Sequence, residues 1–165
     1  MKFLPENIDP KDLINCLRKI NLEILDLIKS YYQKSSSDYE FQKKLNIKNT
    51  ISGPVTSLDI KLNETIINNL KKSYPFQRWG IISEESNKNK VSLEFQNDFI
   101  WIIDPLDGTK DFINNTGEYA VHIALTYKKN IVLSNIFIPD KNESWFYVKG
   151  IGTWSEPKEK NIPIK

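Results

Sequence analysis

A chain that runs Phe99-Ile100-Trp101-Ile102-Ile103 straight into Asp104-Pro105-Leu106-Asp107-Gly108-Thr109 is tightly constrained at that point. The apolar run, aromatic and β-branched without polar interruption, reads as a buried strand. It ends in two aspartates three residues apart, followed at once by a Gly-Thr turn. Desolvated anions at a strand end are costly unless something positive compensates them. A lysine, a helix N-terminus or a metal ion would serve. Gly108-Thr109 offers the start of a helix, and paired aspartates suit a hard cation that prefers oxygen ligands. The pattern therefore predicts a metal and phosphate site.

Two further segments carry acids at element ends. Trp79-Gly80-Ile81-Ile82-Ser83-Glu84-Glu85-Ser86 is a second short apolar strand closing on carboxylates. Gly53-Pro54-Val55-Thr56-Ser57-Leu58-Asp59 puts another acid at the start of a helix. If the two strands share a sheet, Glu84, Asp104 and Asp107 meet at a common edge, where α/β proteins commonly gather ligands. Asp59 also has a plain reading, as a first-turn acid favoured by the helix dipole.

The set Pro54-Val55-Thr56-Ser57-Leu58-Asp59, Ser83-Glu84-Glu85-Ser86 and Asp104-Pro105-Leu106-Asp107-Gly108-Thr109 resembles the inositol monophosphatase superfamily of lithium-sensitive, magnesium-dependent phosphatases. Within it, Asp104 to Phe112 and the stretch Asn115 to Leu125 look most like the 3′(2′),5′-bisphosphate nucleotidase branch. The likeness runs from about Asp9 to about Trp154. It implies an α+β fold, helices packed on a mainly antiparallel sheet, forming the first half of the superfamily fold. It implies Mg²⁺ as cofactor, with Glu84, Asp104 and the Leu106 carbonyl holding one ion, and Asp104 and Asp107 contributing to a second. Thr109, hydrogen-bonded to Asp59, would orient and deprotonate the attacking water. The amides of Gly108 and Thr109 would grip a phosphate oxygen. The implied substrate is a small phosphate ester, foremost adenosine 3′,5′-bisphosphate, a by-product of sulfate assimilation, hydrolysed to AMP and phosphate. Inositol monophosphatase or sugar phosphatase activity is the rival within the same chemistry.

Superfamily members are usually longer, and their second half supplies a Trp-Asp motif that this chain lacks. Residues 1–154 therefore read as an N-terminal α+β domain, and 155–165 as a polar tail where the second would begin. On that reading the second metal binds weakly and an apolar face is left uncovered. Self-association or a companion C-terminal chain would complete the site. A non-catalytic metal- or phosphate-binding domain is the alternative.

The remaining residues narrow the field. A length of 165 residues, 39% hydrophobic and 12% aromatic, supports one ordinary core of the soluble class. A net charge of +2 with scattered lysines gives no basic stripe, which argues against nucleic acid as a partner. No apolar stretch is long enough to span a bilayer and Met1 to Pro10 carries no secretory pattern, so a cytoplasmic location is expected. The single Cys16 excludes an intrachain disulfide and is expected to pack within a helix. The single His122 sits on an alternating strand beside Ala120 and Ala124, as a polar strand-face residue. With one cysteine and one histidine there is no zinc set and no evident Ser-His-Asp arrangement. Glu85 fits direct ligation or a supporting place equally. Lys48, Lys110 and Asp111 each fit either a site role or a solvated surface.

Along the chain, Asp9-Pro10 opens a first helix with Leu13, Leu17, Ile20, Ile24, Ile28 and Tyr31 as its core stripe. Ser35 to Asp38 is expected as a turn, and residues 39–48 as a strand or hairpin arm. Ser57 is the expected cap of a second helix, with Ile60, Ile67, Leu70 and Tyr74 on one face and Pro75 beyond its end. Residues 87–90 read as a polar insertion. Strands are expected at 119–127, 131–138 and 144–148, joined by hairpin turns.

Overall fold

The structure is a computed structural model that describes residue 4 and residues 8–33, 38–50, 53–85 and 97–157. Ser35 to Ser37, Ser86, residues 87–90 and the tail beyond 157 lie outside the described residues.

The first helix, α1 (Pro10–Gln33), begins where expected. Asp9 Oδ1 accepts the Lys11 amide proton at 2.8 Å, and Pro10 takes the first helical position, where its missing N–H costs nothing. All six stripe residues are buried, Leu13, Leu17, Ile20 and Ile24 completely. Spaced by three and four, they form one continuous apolar ridge.

Residues 39–48 are mostly helical rather than extended: α2 spans Asp38–Leu45, and only then does a short strand β1 (Lys48–Thr50) begin. Phe41 and Leu45 explain the difference, because residues four apart share a helix face. The Phe41 ring stacks on Tyr32 with centroids 5.1 Å apart, and Leu45 is fully buried. β1 pairs antiparallel with β2 (Gly53–Val55).

Helix α3 (Ser57–Ser73) is capped one residue earlier than expected, by Thr56 rather than Ser57. Its core face is Leu58, Leu62, Ile66 and Leu70, a strict four-residue spacing. Ile60 lies well round the helix from that stripe and is 42% exposed. The helix stops at Ser73, with Tyr74 donating its amide to the Leu70 carbonyl and Pro75 following.

The remaining strands form one six-stranded sheet in sequence order: β3 (Gly80–Ser83), β4 (Phe99–Asp107), β5 (Ala120–Tyr127), β6 (Asn130–Ile138), β7 (Glu143–Val148) and β8 (Gly152–Pro157). β3 and β4 are parallel, and every other neighbouring pair is antiparallel. The chain is α+β, as expected. Strand β8 carries Ser155 to Pro157, so regular structure runs past Trp154.

One sheet face is covered by helices. Trp101, Ile103, Val121, Ile123, Leu125, Leu133, Phe146 and Val148 join the α1 and α3 stripes in one buried cluster. The alternate residues point the other way, and Ile102 stays 43% exposed. Helix α1 is pinned by polar contacts as well. Asn21 and Asn135 exchange amide hydrogen bonds, Asn21 also donates to Ser144 Oγ, and Arg18 forks onto the Glu156 carboxylate.

Candidate metal and phosphate site

Parallel pairing of β3 with β4 sets the first part of the site. Ile81 lies beside Trp101 and Ser83 beside Ile103, so the next residue of each chain, Glu84 and Asp104, emerge together. The Glu84 amide extends the ladder by donating to the Ile103 carbonyl at 3.0 Å. Two acids that are 20 apart in sequence numbering thus become neighbours by register (104 − 84). This is the shared edge that the two strand ends predicted.

The second part comes from a bulge. Asp104 pairs with His122 and Asp107 with Ala120, so β4 spends one residue more than β5 over that interval. Residues three apart in a regular strand face opposite ways. The extra residue turns Asp107 back to the side of Asp104. Pro105, which has no amide hydrogen to give a ladder, stands inside this irregular stretch.

After the bulge, Gly108 adopts φ +86, and a Cβ there would lie 2.8 Å from the Glu118 carbonyl oxygen. Only glycine turns the chain so sharply at no steric cost. A five-residue helix, α4 (Thr109–Ile113), follows and is anchored by the fully buried Phe112. A helix this short has little macrodipole, so any anion affinity here rests on local amides.

Asp59 reaches the site from α3. It is 3% exposed and closes a capping box with Thr56. Its Oδ2 accepts from the Thr56 amide at 2.8 Å and from the Thr56 hydroxyl. Its Oδ1 faces Thr109 Oγ1 at 3.1 Å. The Thr109 hydroxyl also lies 3.0 Å from the Leu106 carbonyl, so its one proton is contested by two acceptors. Sequence reasoning passes over Thr56, although Thr-x-x-Asp before an apolar run is the signature that finds it.

The electrostatics are those of crowded carboxylates. Burial, and then the charge of Asp104, push Glu84 up to about 7, and the two carboxyls share a hydrogen bond. Burial raises Asp104 as well, against the lowering effect of the Glu84 hydrogen bond and the Leu106 amide. Glu85 is raised by burial, with Asp59 and Asp104 adding to it. Carboxyls that must hold a proton near neutrality to coexist form a donor set that a divalent cation relieves. The fit is favourable: hard oxygens, and the Leu106 carbonyl nearby.

A cavity of about 250 Å³ joins these parts. Glu84, Asp104, Leu106, Asp107, Gly108 and Thr109 all line it, as do Lys110 and Asp111. Asp59 lies behind Thr109, outside the lining. Lys48 lines a different depression with Val55 and Thr56. Among the described residues, no three His, Cys, Asp or Glu side chains converge as a ready-made metal cage. Glu84 and Asp104 meet, while Asp107 Oδ2 lies 3.3 Å from His122 Nε2. Cys16 lies away from the site on α1, where burial raises its thiol and Sγ donates to Ser73 Oγ. No helix among the described residues is long and apolar enough to cross a membrane.

The model of the Inositol monophosphatase family matches residues 9–165. The chain belongs to the inositol monophosphatase family. Curated relatives include an inositol monophosphatase of Dictyostelium discoideum, 30% identical over 149 residues that make up 90% of this chain and 51% of the relative. A protein named Nus factor SuhB, from Buchnera aphidicola, is 31% identical over 86% of this chain and 49% of its own length. The chain thus spans about half the length of the curated relatives it matches. Among solved structures, CysQ of Bacteroides thetaiotaomicron superposes with a TM-score of 0.66 at 29% identity, over 90% of this chain and 53% of that one. The Thermotoga maritima IMPase superposes at 0.67 with 20% identity, over 93% and 54%, a likeness of fold. The family is one of phosphatases, and the inositol monophosphatase fold accounts for the helices on a mostly antiparallel sheet.

Proposed function

We propose that this chain carries the site of a magnesium-dependent phosphomonoesterase, with adenosine 3′,5′-bisphosphate as its foremost substrate and AMP and phosphate as products. The observation that carries the reading is the Glu84–Asp104 carboxyl pair beside the Asp59–Thr109 contact. One half suits a cation, the other a water.

Glu84, Asp104 and the Leu106 carbonyl would hold one Mg²⁺, and Asp104 with Asp107 would contribute to a second. Magnesium bound there supplies charge neutralisation at the phosphoryl oxygens and a water of lowered pKa. The chain's own groups do the rest. With its hydrogen directed to Asp59 rather than to the Leu106 carbonyl, Thr109 Oγ1 would accept a proton from the attacking water as its own passes to the Asp59 carboxylate, which Thr56 holds in place. Gly108 and Thr109 line the cavity, and their amides would donate to a phosphate oxygen. Lys110, exposed in the same lining, offers a cation to the second phosphate of a bisphosphate. That favours the nucleotidase reading over a monophosphate ester, as does the Asp-Gly-Thr-Lys-Asp-Phe motif.

The test is phosphate release by the 165-residue chain from adenosine 3′,5′-bisphosphate and from inositol 1-phosphate, with and without Mg²⁺, beside Asp104→Asn. The expected result is magnesium-dependent release, faster from the bisphosphate and lost in the variant. Faster release from inositol 1-phosphate overturns the substrate assignment. Metal binding without any turnover would assign the chain as a binding unit rather than an enzyme. The half-length match to the curated relatives makes that a meaningful second outcome.

A further inference from the structure

The three acids of the site differ in how they are held. Asp59 accepts hydrogen bonds from Thr56 and Thr109, and Asp104 accepts from the Leu106 amide at 3.2 Å and contacts Glu84. The Asp107 side chain is 64% exposed, and no hydrogen bond fixes its carboxylate among the described residues. One polar group does reach it. His122 Nε2 lies 3.3 Å from Asp107 Oδ2, at ion-pair distance but without hydrogen-bond alignment. That nitrogen is closed off from solvent and has no hydrogen-bond partner among the described residues.

The placement follows from the strand and the bulge together. Val121, Ile123 and Leu125 face the core, which leaves Ala120, His122 and Ala124 on the other side. The bulge brings Asp104 opposite His122 and Asp107 opposite Ala120, so both aspartates come to the imidazole's face. The alanines on either side leave the ring room. The facing carboxylate oxygen suits the tautomer with its hydrogen on Nε2, because an unprotonated nitrogen there would set its lone pair against the anion.

We propose that His122 is a positioning residue for Asp107. A small rotation of the imidazole would align its Nε2–H on Oδ2 across the present 3.3 Å, leaving Oδ1 to a divalent cation. This rests on the metal-site reading above, to which it adds a group outside the ligand set. A hydrogen-bond partner behind a ligand fixes its orientation, and loss of such a partner weakens metal affinity about 10- to 100-fold.

The experiment is a titration of the full chain with Mn²⁺ alone, free ion being read by electron paramagnetic resonance, with folding checked by circular dichroism. Five proteins are compared: wild type, His122→Ala, His122→Gln, Asp107→Asn and the Ala/Asn double variant. The glutamine amide reaches about as far as Nε2 and retains an N–H. The expected result is about tenfold weaker binding in His122→Ala, restored in His122→Gln, with no further loss when Asp107→Asn is already present. Should His122→Ala not fold, His122→Leu makes the same comparison while keeping bulk. Undiminished affinity in the folded removal variant overturns the role of His122 and leaves the metal site standing. Failure of wild type itself to bind Mn²⁺ overturns the metal-site reading, and this inference with it.

Discussion

Thr109 Oγ1 lies 3.1 Å from Asp59 Oδ1 although 50 positions separate them, because α3 packs against β4 and the capping box leaves one carboxylate oxygen free. The same carboxylate therefore caps a helix with Oδ2 and addresses the cavity wall with Oδ1. Thr109→Val should cost little stability, about 1 kcal/mol for one hydrogen bond, yet lower phosphate release about 10²- to 10⁴-fold. Asp59→Asn should lower release comparably, and the double variant little further, since the two act as one unit. Steady-state rates of the three variants check this; additive losses would separate the roles.

Asp59→Ala and Thr56→Ala test the structural half of that arrangement. Thr56→Ala removes the N-cap, at about 1 kcal/mol, whereas Asp59→Ala leaves that cap but strands the buried Thr56 amide and hydroxyl hydrogens, at about 1–3 kcal/mol. Urea denaturation should show Asp59→Ala as the more damaging, with the pair less than additive.

The crowded carboxylates make stability depend on pH in a definite direction. Glu84 rises from 4.5 in the unfolded chain to about 7 in the fold, first through burial and then through Asp104. Across that window the folded protein binds a proton that the unfolded chain has given up. The stabilisation is complete below the unfolded value and is lost as pH rises through about 7. The urea midpoint of metal-free protein should thus fall between about pH 5 and pH 8. Glu84→Gln should flatten the fall without abolishing it, since Asp104 and Glu85 are raised as well. At pH 6, Mg²⁺ binding should release about one proton, measurable by calorimetry in buffers of different ionisation enthalpy.

Much of this is readable in the residues, and the parts that are not share a cause. The α1 stripe from Leu13 to Tyr31 and the acids closing β3 and β4 are local patterns, and they survive folding unchanged. Helix α2 reads locally as a strand because the partners of Phe41, Tyr32 and Phe112, come from elsewhere in the chain. Ile60 falls outside the core because helix position alone does not say which side meets the sheet. The contact of His122 with Asp107 depends on a one-residue bulge, which alternation on β5 does not reveal. Pro105 is the available hint, since proline inside a paired strand marks a break in the ladder.

Gly108 is a second test of the turn that carries the site. At φ +86, the first carbon of any side chain there would stand 2.8 Å from the Glu118 carbonyl oxygen, so Gly108→Ala must move backbone. The expected cost is about 1–3 kcal/mol by denaturation, with weaker divalent-metal binding at the displaced Asp107.

Asn135 is completely buried and exchanges hydrogen bonds with Asn21, fixing α1 across β6. Asn135→Ala leaves the Asn21 amide with Ser144 alone and should cost about 1–3 kcal/mol. Replacing both asparagines by leucine should cost less than the single truncation, because no buried polar partner is then stranded. Equal losses in both would mean that packing, not polar satisfaction, holds α1 in place.

The most direct test of the site is diffraction from crystals of the chain grown with Mn²⁺, collected for the anomalous signal of the metal. The expected result is an anomalous peak bonded to the Glu84 and Asp104 carboxylates, with the Leu106 carbonyl completing that side. A peak confined to other residues, with Glu84 and Asp104 still sharing their proton, would contradict the metal site.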